Sequence, residues 1–161
     1  MVEVRYVVNA PAEQVFEILA DGWMYPNWVV GASHIRAVDP GWPEVGTRIH
    51  HSVGPWPLTI NDTTVVRVVE PPRLLELEAR AWPFGTAAIR LELVGEGYTE
   101  IRMTETVSGG PGRMLPGLGQ AALLAPRNLE SLSRLADLVL GRGGRPEARI
   151  AAEPEDPSAA P

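Results

Sequence analysis

Four polar side chains fall where the surrounding pattern calls for an apolar residue. In RIHHSV, His51 keeps step with Ile49 and Val53 while His50 falls on the other side, because successive side chains of a strand point to opposite faces. An imidazole on an apolar face is either a general acid or base working near neutral pH, or a core histidine bonded to a neighbour. Asp62 shares a phase with Leu58, Ile60, Val66 and Val68. It is either a carboxylate that orients His51 or holds a ligand hydroxyl, or a solvated residue at a bulge in Asn61-Asp62. Glu105 is in phase with Ile101, Met103 and Val107. Burial there would make it a proton donor, unless it pairs with Arg127. These three are the candidate catalytic residues.

Asn128 lies among Ala121, Ala125 and Leu132 at helical spacing, with Arg127 at the edge of that stripe. The pair either fixes a ligand carbonyl or phenol, or satisfies backbone groups freed by Pro126. Tryptophans at 23, 28, 42, 56 and 82 cluster in turns and a short helical segment. Their flat faces suit planar ligands, although tryptophan also fills cores and rims. Trp28, Trp56, Trp82, Met103, Arg127 and Asn128 form the candidate ligand-contacting set.

The elements that must position these groups follow from periodicity. VEVRYVV alternates as a strand and leads through Asn9, a cap-like residue, and Pro11 into a helix over roughly 11–20 that ends at Asp21-Gly22. WMYPNWVVG forms a second short helix or turn. From residue 33 to about 108 six runs of period two are separated by Asp39-Pro40-Gly41, Gly54-Pro55, Pro71-Pro72 and Gly95-Glu96-Gly97, which predicts an antiparallel meander. Leu75, Leu77 and Ala79 oppose Glu76, Glu78 and Arg80, so the sheet has one apolar and one charged face. A helix follows over about 115–140, its stripe formed by Ala121, Ala125, Leu129, Leu132, Leu135, Ala136 and Val139, with a kink or break expected at Pro126. The fold class is α+β: residues 1–141 form one domain, and 142–161, rich in Gly, Pro and acids, are expected to be a disordered tail.

Composition narrows the chemistry. The 161 residues carry 14 basic and 20 acidic side chains, a net charge of −6 that disfavours nucleic acid as a partner. Every basic residue is arginine, which excludes lysine Schiff bases, and the absence of cysteine excludes thiolate nucleophiles and disulfides. The histidines have no HExxH spacing, the serines no GxSxG elbow, and GGPGRMLPGLG no P-loop lysine. Neither metal nor cofactor is expected. The opening residues lack a signal-peptide pattern, and no apolar run reaches the roughly 20 residues of a membrane span, so a soluble, cytoplasmic monomer or homodimer is expected.

The opening VVNAPAEQVFEILAD, then YPNWV, VVRVVEPPRLLELEAR, GYTEIRMTETV and RNLESLSRLADLV, taken in order, resemble the START-like (SRPBCC) superfamily and its polyketide cyclase/dehydrase-type proteins, over roughly residues 2–140. The resemblance implies a helix-grip fold, a curved antiparallel sheet wrapped around the C-terminal helix with a cavity between them opening near the short helices. It implies a small hydrophobic or aromatic, polyketide- or lipid-like ligand. Two alternatives stay open: an aromatase/cyclase performing aldol closure and dehydration, and an interaction module of co-chaperone type. No residue set here maps onto a cyclase's catalytic groups, and fold alone does not choose among these.

Overall fold

The computed structural model describes residues 1–53, 60–81, 85–114 and 117–143. Strand β1 (Val2–Val8) leads into helix α1 (Ala12–Leu19), a single 3-10 turn (Gly22–Met24) and the short helix α2 (Tyr25–Trp28). Six strands follow: β2 (Ala32–Val38), β3 (Arg48–Val53), β4 (Ile60–Glu70), β5 (Leu74–Ala81), β6 (Gly85–Val94) and β7 (Thr99–Val107). A second 3-10 turn (Pro111–Met114) precedes the long helix α3 (Gly117–Gly143). The strands form one antiparallel sheet in the order β1-β7-β6-β5-β4-β3-β2. This is the expected meander, with the first strand added beside the last.

The charged face of the sheet carries an arginine–glutamate lattice. Arg67 meets Glu78 at 2.8 Å and Arg90 bridges Glu76 and Glu92 at 3.1 and 2.8 Å, while Arg102 pairs with Glu100. Such exposed pairs contribute little stability each. Their effect is to hold this face in water and commit the other to the core. On that inner face Val4, Val8, Ile49, Val66, Leu75, Leu77, Ile89, Leu91, Ile101 and Met103 are buried against α1 and α3.

Four local expectations are corrected. Val68 leaves the inner face, because an irregularity between Val66 and Val68 sets Val68 opposite Glu76 and Val69 opposite Leu75; a bulge shifts the alternation by one residue. Asn9 does not cap α1: Pro11 takes the cap position, with no side-chain cap bond, and the Thr99 hydroxyl donates to the Ala10 carbonyl at 2.7 Å. Pro126 lies inside an unbroken α3, which runs on to Gly143. In α3 Leu129 is exposed, and the buried line runs through Asn128, Ser131, Leu132, Leu135, Ala136 and Val139. The end of α3 is fastened by Arg142 to Asp21 at 3.1 Å. Trp56, Trp82 and the expected tail from residue 144 lie outside the described residues.

One glycine is demanded by the sheet. Gly85 opens β6 at φ +124°, and a Cβ built there would stand 1.7 Å from the Gly109 carbonyl oxygen. The crossing is held by Ser108 and Gly109, whose N–H groups both donate to the Thr86 carbonyl at 2.7 and 3.2 Å. Gly85→Ala is therefore expected to cost about 2 kcal/mol or more in urea denaturation. Gly119→Ala, which meets nothing within 4 Å in α3, should be neutral or stabilising by up to about 1 kcal/mol.

Candidate functional site

The inner face of the sheet holds two polar groups of residues. The first is built on β3, β4 and α2. His51 stands directly opposite Asp62 in the β3–β4 ladder, which brings two side chains to the same face with Cβ atoms about 5 Å apart. His51 Nε2 lies 3.0 Å from Thr64 Oγ1, and the Tyr25 hydroxyl reaches the same Oγ1 from α2 at 3.1 Å. Tyr25 lies across His51 with ring centroids 5.5 Å apart and meets Trp28 edge-on at 5.5 Å. Asp62 Oδ1 accepts the Thr63 N–H at 2.8 Å. Its Oδ2, like His51 Nδ1, is buried without a hydrogen-bond partner among the described residues.

Burial governs the charge states here. It pulls the His51 pKa below 6.5, against the raising effect of the Asp62 charge, so the imidazole is neutral at pH 7. It pushes the Tyr25 phenol up to about 12, so that the ring stays protonated.

The second group joins β7 to α3. Glu105 is buried, and its Oε2 accepts both the Asn128 amide at 2.8 Å and an Arg127 guanidinium N–H at 2.5 Å. Arg127 Nε and Nη2 also donate to Asn128 Oδ1 at 3.2 and 3.0 Å. The carboxylate is thus paired with the helix. Asn128 spends its amide on Glu105 and Arg127 and, among the described residues, makes no bond to the backbone around Pro126. Three residues later Ser131 accepts the Val30 N–H at 3.1 Å, fixing the wall after α2.

Both groups border a chamber of about 100 Å³ between sheet and helix, whose lining includes Trp28, Ala87, Ile89 and Met103 with His51, Glu105, Arg127 and Ser131. An outer cavity of about 590 Å³ at the β4 and β6 ends is lined by Asp62, Arg36, Asn61, Thr63, Arg80 and Thr86. Arg80 borders both. His51, Glu105, Trp28, Met103 and Arg127 therefore meet at one chamber. Asn128 buttresses it and Asp62 faces the neighbouring cavity. Trp23 is exposed, and Trp42 donates its indole N–H to the Leu19 carbonyl at 3.2 Å. Sequence reasoning missed Tyr25, Thr64 and Ser131. Spacing contained the signal for two of them, since Thr64 is two residues from Asp62 and Ser131 three from Asn128.

A family model described as polyketide cyclase / dehydrase and lipid transport matches residues 1–139. The chain belongs to that family. Among solved structures, the fold is shared with DynU16, from the dynemicin biosynthetic locus, at 24% identity and a TM-score of 0.60 over 88% of this chain. This chain spans about half of that protein, 47% of its length. The Zhui aromatase/cyclase of Streptomyces sp. R1128 is 17% identical, with a TM-score of 0.65 over 88% of this chain and 94% of that one. The di-domain StfQ from the steffimycin pathway is 17% identical, with a TM-score of 0.66 over 90% of this chain and 46% of that one. These likenesses establish the fold. No curated protein matches the chain. Among the described residues no helix is long and apolar enough to cross a membrane.

Two predictions follow from the electrostatics. Keeping Tyr25 neutral contributes stability that is complete below pH 10 and is lost as pH rises towards about 12. Comparing wild type with Tyr25→Phe by denaturation across that window should show an alkaline decline of about 3 kcal/mol in the wild type that the variant lacks. Arg127→Met, which leaves the Glu105 carboxylate buried beside Asn128 alone, should destabilise by about 1–3 kcal/mol. The double variant with Glu105→Leu should recover most of that loss.

Proposed function

We propose that this protein holds a small hydrophobic or aromatic molecule in the chamber between its sheet and α3. The observation that carries this reading is the chamber itself, an apolar space that adjoins a buried imidazole and a carboxylate–guanidinium pair. A few convergent polar groups in an apolar cleft are the usual form of a small-molecule site.

Size limits the occupant. Ligand sites usually enclose about 300–1,000 Å³, whereas the chamber offers about 100 Å³. That is the scale of one ring, since an apolar cavity of roughly 150 Å³ takes up benzene. A longer molecule would extend past Arg80 into the outer cavity of about 590 Å³. Burying one ring, on the order of 150 Å² of apolar surface, contributes about 4 kcal/mol before the costs of association. Apolar contact alone therefore gives weak binding, and affinity must come from the polar anchors or from an extended ligand.

A second reading, an aromatase/cyclase, is favoured by the family and by the aromatase/cyclase descriptions of Zhui and StfQ. In it His51, Asp62 or Glu105 would move protons while the chamber orients a reactive polyketone, and orientation would supply much of the acceleration. Mass analysis of a polyketone incubated with the protein separates the readings, because dehydration removes one water and binding alone leaves the mass unchanged.

Thermal-shift and native mass measurements against single-ring and fused-ring aromatics should give a retained ligand and a rise of several degrees for the best binder at saturation. Met103→Trp, which fills the chamber, should abolish the shift while keeping the native circular dichroism spectrum. If no compound shifts the transition, or Met103→Trp leaves the shift intact, the chamber is not the site.

A further inference from the structure

We propose that His51 and Asp62 form a subsite for a hydroxyl group, phenolic or enolic, on the bound molecule. The inference rests on the ligand-binding reading above and adds the functional group that the ligand must carry.

The two side chains are 3% and 6% exposed, and each leaves one polar atom unpartnered among the described residues, Nδ1 on His51 and Oδ2 on Asp62. They are register partners across β3 and β4. His51 lines the inner chamber and Asp62 the outer cavity, and Arg80 borders both. Buried polar atoms of native proteins nearly always find a partner, so these two atoms mark a place for one.

The direction of the hydrogen bonds identifies the group. Tyr25, Thr64 and His51 share two hydrogen bonds through Thr64 Oγ1. Tyr25 has no other acceptor for its O–H among the described residues, so its proton goes to Thr64 Oγ1. The arrangement in which every proton finds an acceptor then sends the Thr64 proton to His51 Nε2 and places the neutral imidazole's own proton on Nδ1. The pair thus presents one donor, His51 Nδ1–H, and one acceptor, Asp62 Oδ2. A hydroxyl group accepts from the first and donates to the second. A carbonyl or an ether satisfies only His51 and leaves the carboxylate oxygen unpartnered. Thr64, which does not line the chamber, is a positioning residue that fixes the tautomer, and Tyr25 completes the chain from the chamber wall.

The test uses fluorine NMR titrations of the intact protein at pH 7.5 with 4-fluorophenol, fluorobenzene and 4-fluoroanisole. The wild type should bind the phenol roughly 10–100-fold more tightly than the other two rings. Asp62→Asn, which replaces the free acceptor by a donor, should bring the phenol down to the level of fluorobenzene while fluorobenzene binding stays unchanged. Nitrogen-15 shifts of the wild-type imidazole should report the Nδ1–H tautomer, and Thr64→Val should convert it to a mixture and weaken the phenol preference. Equal binding of phenol and fluorobenzene by the wild type, an Nε2–H tautomer, or an undiminished phenol preference in Asp62→Asn would overturn the subsite and leave the container reading standing. Failure of all three rings to bind would overturn the container reading, and the subsite with it.

Discussion

A carboxylate on the inner face of a β-sheet has to be satisfied by whatever covers that face. Glu105 sits on β7 among Ile101, Met103 and Ile89, and its partners Arg127 and Asn128 both come from α3. An isolated charge there would cost several kcal/mol, so the helix can dock in only one register along its length. The other contacts of the helix follow from that seating. Leu132, Leu135, Ala136 and Val139 fill the core beyond Asn128, and Ser131 catches the Val30 N–H. The outer face, with its arginine–glutamate lattice, contributes no such choice, because exposed pairs are weak and interchangeable.

The same docking leaves space. Polar side chains on the helix side of β3, β4 and β7 cannot interdigitate as leucines do, and the chamber lies where His51, Glu105 and Arg127 meet Trp28 and Met103. A hydrogen-bond chain from Tyr25 through Thr64 to His51 holds one wall, with burial keeping the phenol protonated and the imidazole neutral. The site therefore presents directional donors and acceptors in place of mobile charge. That arrangement suits recognition of a neutral, partly polar aromatic molecule.

Much of this was legible in the sequence. Period two placed His51, Asp62 and Glu105 on the inner face, and each is buried there. Helical spacing put Asn128 on the apolar stripe and Arg127 at its edge, and offered Arg127 as the partner of Glu105; that Asn128 joins the pair came only with the structure. The misreadings have physical causes. Leu129 was assigned to the stripe because it is apolar, but the ion pair seats the helix with Asn128 at the centre, one residue and about 100° away. A bulge that no residue type announces turned Val68 outward. Of the kink or break expected at Pro126, the break is absent, because the helix continues through it. Thr64 and Tyr25 escaped notice because a threonine in a strand and a tyrosine in a short helix are unremarkable until a third residue shows that they touch.

Isotope-edited NOE measurements on the protein with a bound aromatic probe decide whether the space seated by the Glu105–Arg127–Asn128 cluster is a ligand site. The probe should show contacts to the Met103 and Ile89 methyl groups and to the His51 ring. Contacts confined to exposed apolar side chains such as Met114 and Leu118, with none to Met103 or His51, would contradict it.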